Sequence, residues 1–69
     1  MVEIFKTDVS RKPQAKVILE ELRSQFPESH INFDLEDCDK ILRVEGASFT
    51  TDAVMLILRT HGFNCRMLE

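Results

Sequence analysis

The spacing of hydrophobic positions changes several times along the chain, and each change marks an element. Val2 to Lys6 is short, contains β-branched and aromatic residues and alternates loosely, which predicts a strand. Alternation offers Val2 and Ile4 to one side and Glu3 and Phe5 to the other. Thr7 to Ser10 is polar and breaks the pattern. From Arg11 to Phe26 the period becomes helical: Ala15, Ile18, Leu19, Leu22 and Phe26 recur at intervals of three and four and form one stripe. Ser10 is the expected N-cap, and Pro13 is compatible with the first turn, where its missing N–H has no helical partner. Pro27 stops the helix by pushing the residue before it out of the helical region.

His30 to Leu35 alternates cleanly, with Ile31, Phe33 and Leu35 on one side. Lys40 to Glu45 does the same, with Leu42 and Val44 inward and Ile41, Arg43 and Glu45 outward. Glu36, Asp37, Cys38 and Asp39 lie between them and are rich in turn-formers, so the two strands form a hairpin. Gly46 to Phe49 reads as a loop. Ser48, Thr50 and Thr51 each offer a cap for a second helix over 51–61, whose stripe is Val54, Ile57, Leu58 and His61. Met55 and Leu56 fall at the edge of that stripe. Gly62 suits a left-handed C-cap. Phe63 to Leu68 is a closing strand, with Phe63, Cys65 and Met67 facing inward.

The order is therefore strand, helix, strand, strand, helix, strand. Strands that are apolar on one side need a cover on that side only, and two amphipathic helices supply it. The expected fold is α+β: a ferredoxin-like βαββαβ sandwich, one four-stranded antiparallel sheet with both helices on one face, each crossover right-handed. With 69 residues, 1–69 forms a single domain. A chain of this size builds one thin core and has little room for an enclosed active site.

Charge narrows the function classes. The formal net charge is −3, against the basic stripe expected of a nucleic-acid binder. An RNA-binding sheet would also present several stacking aromatics, and here only Phe5 offers itself. The acidic balance disfavours an anionic membrane surface. The first residues show no positive segment followed by a long apolar run, so no signal peptide is expected. Cys38 and Cys65 read as free thiols in a reducing compartment, which places the domain in the cytoplasm.

The segment Phe26-Pro27-Glu28-Ser29-His30-Ile31-Asn32-Phe33-Asp34-Leu35 resembles the helix exit and second strand of the heavy-metal-associated domain family. His61-Gly62-Phe63, followed by a closing strand, resembles that family's turn into its last strand. The resemblance spans the whole chain and implies the same βαββαβ fold. The family carries metal on a Met-x-Cys-x-x-Cys loop between the first strand and the first helix. The corresponding stretch here, Lys6 to Ala15, contains no cysteine, histidine or methionine. Soft ions such as Cu(I) need thiolates, and a helix N-terminus favours them. Arg11, Lys12 and Lys16 instead place cations where the helix dipole opposes them. The chain resembles a member of the family without the metal loop, and neither metal nor other cofactor is expected.

Three groups of residues are candidates for a site. Asp8, Cys38 and His61 should gather at one end of the domain, a donor set that zinc could accept. Glu36, Asp37 and Asp39, with Asp34, make an acidic hairpin without the spacing of an EF-hand; solvated turn acids or a docking patch for a basic partner both fit. Arg11 and Lys12 stand beside free N–H groups at a helix start, where an anion could bind. The open sheet face forms a fourth candidate surface, with Phe5, Ile41 and Leu68 set among Arg43 and Arg66. No catalytic constellation is visible, so the chain is not expected to be an enzyme. The expectation is an interaction or regulatory module with a protein partner, itself a monomer or weak homodimer through Met55 and Leu56. The alternative is an unorthodox metal-binding protein using Asp8, Cys38 and His61.

Overall fold

Alternating apolar residues form strands and the two stripes form helices in the computed structural model, which describes residues 1–68. The elements are β1 (Val2–Thr7), α1 (Lys12–Gln25), β2 (His30–Asp34), β3 (Ile41–Glu45), α2 (Thr51–Thr60) and β4 (Cys65–Met67). The strands make one antiparallel sheet in the order β2-β3-β1-β4. The architecture is thus the ferredoxin-like βαββαβ sandwich. β1 and β3 are central; β2 and β4 are the edges.

The core lies between the sheet and the helices. Ala15, Ile18 and Leu22 of α1 and Val54, Ile57 and Leu58 of α2 are buried against Ile31, Leu42 and Val44 of the sheet. Leu19, Phe26, Phe33, Leu35, Met55 and Phe63 pack around them, half-buried. Both predicted helical stripes therefore hold, except at His61, which is exposed.

The largest correction concerns β1. Phe5 has no exposed surface, so it is a core residue and not part of an open interaction face. β1 carries apolar residues on both sides, and alternation alone does not choose between them. Strand pairing does: Phe5 lies opposite Leu42, which is fully buried, and residues in register share a face. Val2 and Ile4 take the open side instead. Two further core residues come from segments with no period to read. Val9 and Phe49 are buried in the loops before α1 and α2. Met67 lies opposite Phe5, on the inward side as expected, but on the edge strand β4 it stays exposed, as does Leu68 beside it.

Local chemistry fixes the helix ends. The N-cap of α1 is Arg11, not Ser10. This choice puts Gln14 three residues on, where its Oε1 accepts a hydrogen bond from the Arg11 N–H at 3.3 Å. Thr50 caps α2 by accepting from the Ala53 N–H at 3.3 Å. α2 ends at His61 with Gly62 at φ +86°, and the Gly62 and Phe63 N–H groups donate to Arg59 and Leu58. That pair of bonds is a Schellman motif, and Phe63 packs back on the core as the motif favours.

Candidate functional site

One end of the domain gathers the β1–α1 loop, the β2–β3 hairpin and the turn into β4. Hydrogen bonds tie the three together. The Thr7 N–H donates to the Asp39 carbonyl at 3.1 Å, and Thr7 Oγ1 donates to the Lys40 carbonyl at 2.6 Å. Thr7 Oγ1 also accepts from the Val9 N–H at 3.3 Å, which turns the chain inward and places the Val9 side chain in the core. Asp8 accepts two bonds from Asn64, from its backbone N–H at 2.9 Å and its side-chain amide at 2.8 Å. Lys6 pairs with Asp39 at 3.3 Å.

These bonds decide the fate of the predicted donors. Asp8 is committed to Asn64. His61 turns to α1, where its Nε2 lies 3.1 Å from Glu21 Oε1. Cys38 is exposed at the hairpin tip, where Asp37 Oδ1 accepts from the Asp39 N–H at 2.8 Å. Asp8, Cys38 and His61 share an end of the fold but form no common donor set. Among the described residues, the one group with three potential ligand atoms within 4.8 Å of one another is Asp37, Cys38 and Asp39. Asn64 and Glu21, the partners that occupy Asp8 and His61, carried no signal in the sequence. They act through contacts 56 and 40 positions away.

The loop does not suit a soft metal ion. Its residues Thr7 to Arg11 offer oxygen, a buried isopropyl group and a guanidinium. The thiol nearest in register is Cys65, paired with Thr7 across β1 and β4. Burial pushes that thiol up to about 11, only partly offset by Arg59, while Asp8 pushes the same way. Burial therefore keeps the Cys65 thiol protonated at neutral pH, unlike the exposed, activated thiolate of a reactive cysteine.

The remaining interaction candidates fall on two surfaces. Ile41 is half-buried on the open sheet face, beside Ile4, Lys6 and Arg43, and Arg43 pairs with Glu45 at 3.5 Å. Arg11, Lys12, Glu36 and Asp37 are exposed, while Asp39 is half-buried. Lys12 and Glu36 also line a feature that sequence reading missed, a groove of about 520 Å³ between α1 and the edge strand β2. Its floor includes Ala15, Leu19, Phe33 and Leu35. No described helix is long and apolar enough to cross a membrane.

No family model matches the chain, and no curated protein does either. Among solved structures it is similar to the yeast copper transporter domain Ccc2a, determined in solution in its apo and Cu(I)-loaded states. The similarity covers 99% of this chain and 94% of that one, with a TM-score of 0.81 and 18% sequence identity. At that identity the likeness is one of fold.

Proposed function

We propose that this chain is a non-enzymatic interaction or regulatory module on a heavy-metal-associated-like scaffold, working in the cytoplasm without soft-metal cargo in its β1–α1 loop. The closed state of that loop carries the reading. A metal-transfer loop presents unpaired thiolates to solvent at a helix N-terminus. Here Thr7 is buried and hydrogen-bonded, Asp8 is held by Asn64, Val9 is in the core, and Arg11 and Lys12 supply cations. What remains accessible is surface of mixed charge, suited to a protein partner.

A second reading, an unorthodox metal-binding protein, draws on one observation: the Asp37, Cys38 and Asp39 donors lie close together at the hairpin tip. The neighbour's Cu(I)-loaded state makes copper the ion to try first. Titration of reduced protein with Cu(I), then Zn(II), followed by amide NMR, separates the two readings. The first expects no saturable shifts in residues 7–11 and no ordered site elsewhere. Shifts over 37–39 that saturate at one equivalent and vanish in Cys38→Ser would replace it with the second.

A further inference from the structure

We propose that β2 and α1 form a self-complementary surface on which a second copy of this chain docks, joining two sheets edge to edge into one of eight strands. β2 is an edge strand, so alternate residues turn both backbone groups away from β3. Arg23 shows which residues these are: its Nη2 donates to the Ile31 carbonyl from outside the sheet at 3.3 Å. Phe33, two residues on, turns its N–H and carbonyl the same way. Leu35 lies one residue past the end of β2, and its carbonyl accepts from Lys40 Nζ of the hairpin loop at 3.0 Å. Arg23 thus shields one end of this edge, and its middle opens into the groove.

A two-fold axis through Phe33 lets the two Phe33 residues exchange both backbone bonds. It also sets Ile31 opposite Leu35, the residue that follows β2, of the second copy, once Arg23 swings aside. The same axis sets Asn32 opposite Asp34, and His30 opposite Glu36. No like charges face each other along the strand.

The helices agree with this axis. β2 follows α1 after a turn over 26–29 and runs antiparallel to it. The Arg23 guanidinium reaches Ile31, which sets the turn of α1 just before Arg23 near that level. Stepping to Phe33 covers about 6.6 Å of strand, or about four residues of helix, which reaches the turn between Lys16 and Leu19. An axis at that level brings Lys16 of one copy within a turn of Glu20 of the other, twice. It also sets Arg23 level with Leu35 and Glu36 of the second copy. Strands spaced about 4.8 Å apart, with α1 set over the β2 side of the sheet, put α1 about 10 Å from its copy, a normal helix-packing distance. The charged residues of the groove, Lys12, Lys16 and Arg23 against Glu20, Asp34 and Glu36, balance in number. That balance suits a second copy better than a strongly charged partner.

Sedimentation equilibrium of the whole chain up to millimolar concentration tests the proposal. Wild type should show reversible dimerisation. Lys16→Glu and Glu20→Lys each place like charges face to face twice, and each should weaken the dimer about tenfold. Both positions are exposed, so circular dichroism should show an unchanged fold. The double exchange restores opposite charges and should return the dissociation constant to within about threefold of wild type. In a mixture of labelled and unlabelled chains, contacts between copies should appear at Phe33. A monomeric mass at every concentration overturns the proposal. So does a dimer indifferent to both reversals, or one whose contacts between copies lie at Leu56 or Met67.

Discussion

Replacing Phe5 with alanine tests the reading of the sheet most directly, because neighbouring residues on β1 make opposite predictions. Phe5 has no exposed surface and sits on a central strand opposite Leu42, beneath both helices. Truncating a buried phenylalanine costs about 3–5 kcal/mol, the lost transfer energy plus the cavity left behind. A domain of 69 residues has a total stability of only roughly 3–10 kcal/mol. Phe5→Ala should therefore bring the chain close to unfolding at room temperature. Phe5→Leu keeps most of the volume and should cost about 1–1.5 kcal/mol, which stays measurable if the alanine variant does not fold. Ile4, one residue away, is half-buried on the open side, and Ile4→Ala should cost about 1 kcal/mol or less. Urea unfolding of the variants, compared at matched slopes, gives the order. A loss below about 1 kcal/mol for Phe5→Ala, or a larger loss for Ile4→Ala, would refute the inward assignment of Phe5.

Two other positions give equally specific outcomes. A Cβ on Gly46 would lie 2.6 Å from Ser29 Oγ and 3.2 Å from Ser29 Cα, so turning the hydroxyl aside is not enough. Gly46→Ala should cost about 1–3 kcal/mol in urea unfolding, with partial recovery when Ser29→Gly removes the side chain it meets. Cys65 has its folded-state pKa raised from 9.0 to about 11. Its contribution is therefore fully present below pH 9 and is lost as pH rises toward 11, because the unfolded thiol ionises first. Stability should fall by up to about 2 kcal/mol across that window, and the loss should be absent in Cys65→Ala. An identical pH profile in the two proteins would show that Cys65 is not the group responsible.

The fold was legible because its elements advertise themselves by period. Ile31, Phe33, Leu35, Leu42 and Val44 alternate on one side only, and the stripe of α1 could not be a strand. β1 was ambiguous for a physical reason: Val2 and Ile4 compete with Phe5, and the winner depends on pairing with Leu42, a contact 37 residues away. Val9 and Phe49 were missed because loop residues obey no period, yet loops crossing the end of a thin sandwich must fill it. The candidate site was less legible still. Topology correctly brought the loops holding Asp8, Cys38 and His61 to one end. It could not show that Asn64 takes Asp8 and Glu21 takes His61, since those bonds depend on side-chain reach across the tertiary fold. The groove beside β2 was implied by the strand order, which makes β2 an edge, but its mixed lining becomes visible only when α1 is set against it.

The closed loop and the shielded edge bear on each other. A domain of this size has few places where backbone or donor atoms can meet another molecule. The β1–α1 loop turns its polar atoms on its own chain: Thr7 to Lys40, Asp8 to Asn64. Val9 adds a core side chain to the loop, so opening it would cost buried apolar surface as well as hydrogen bonds. At the β2 edge the Ile31 carbonyl is also covered, but by Arg23, a long exposed side chain whose head can move into water at little cost. Of the two surfaces, the loop is held by packing and the edge by flexible charge. An approaching molecule can displace the second far more readily than the first, and this difference is what the proposed docking at β2 and α1 relies on.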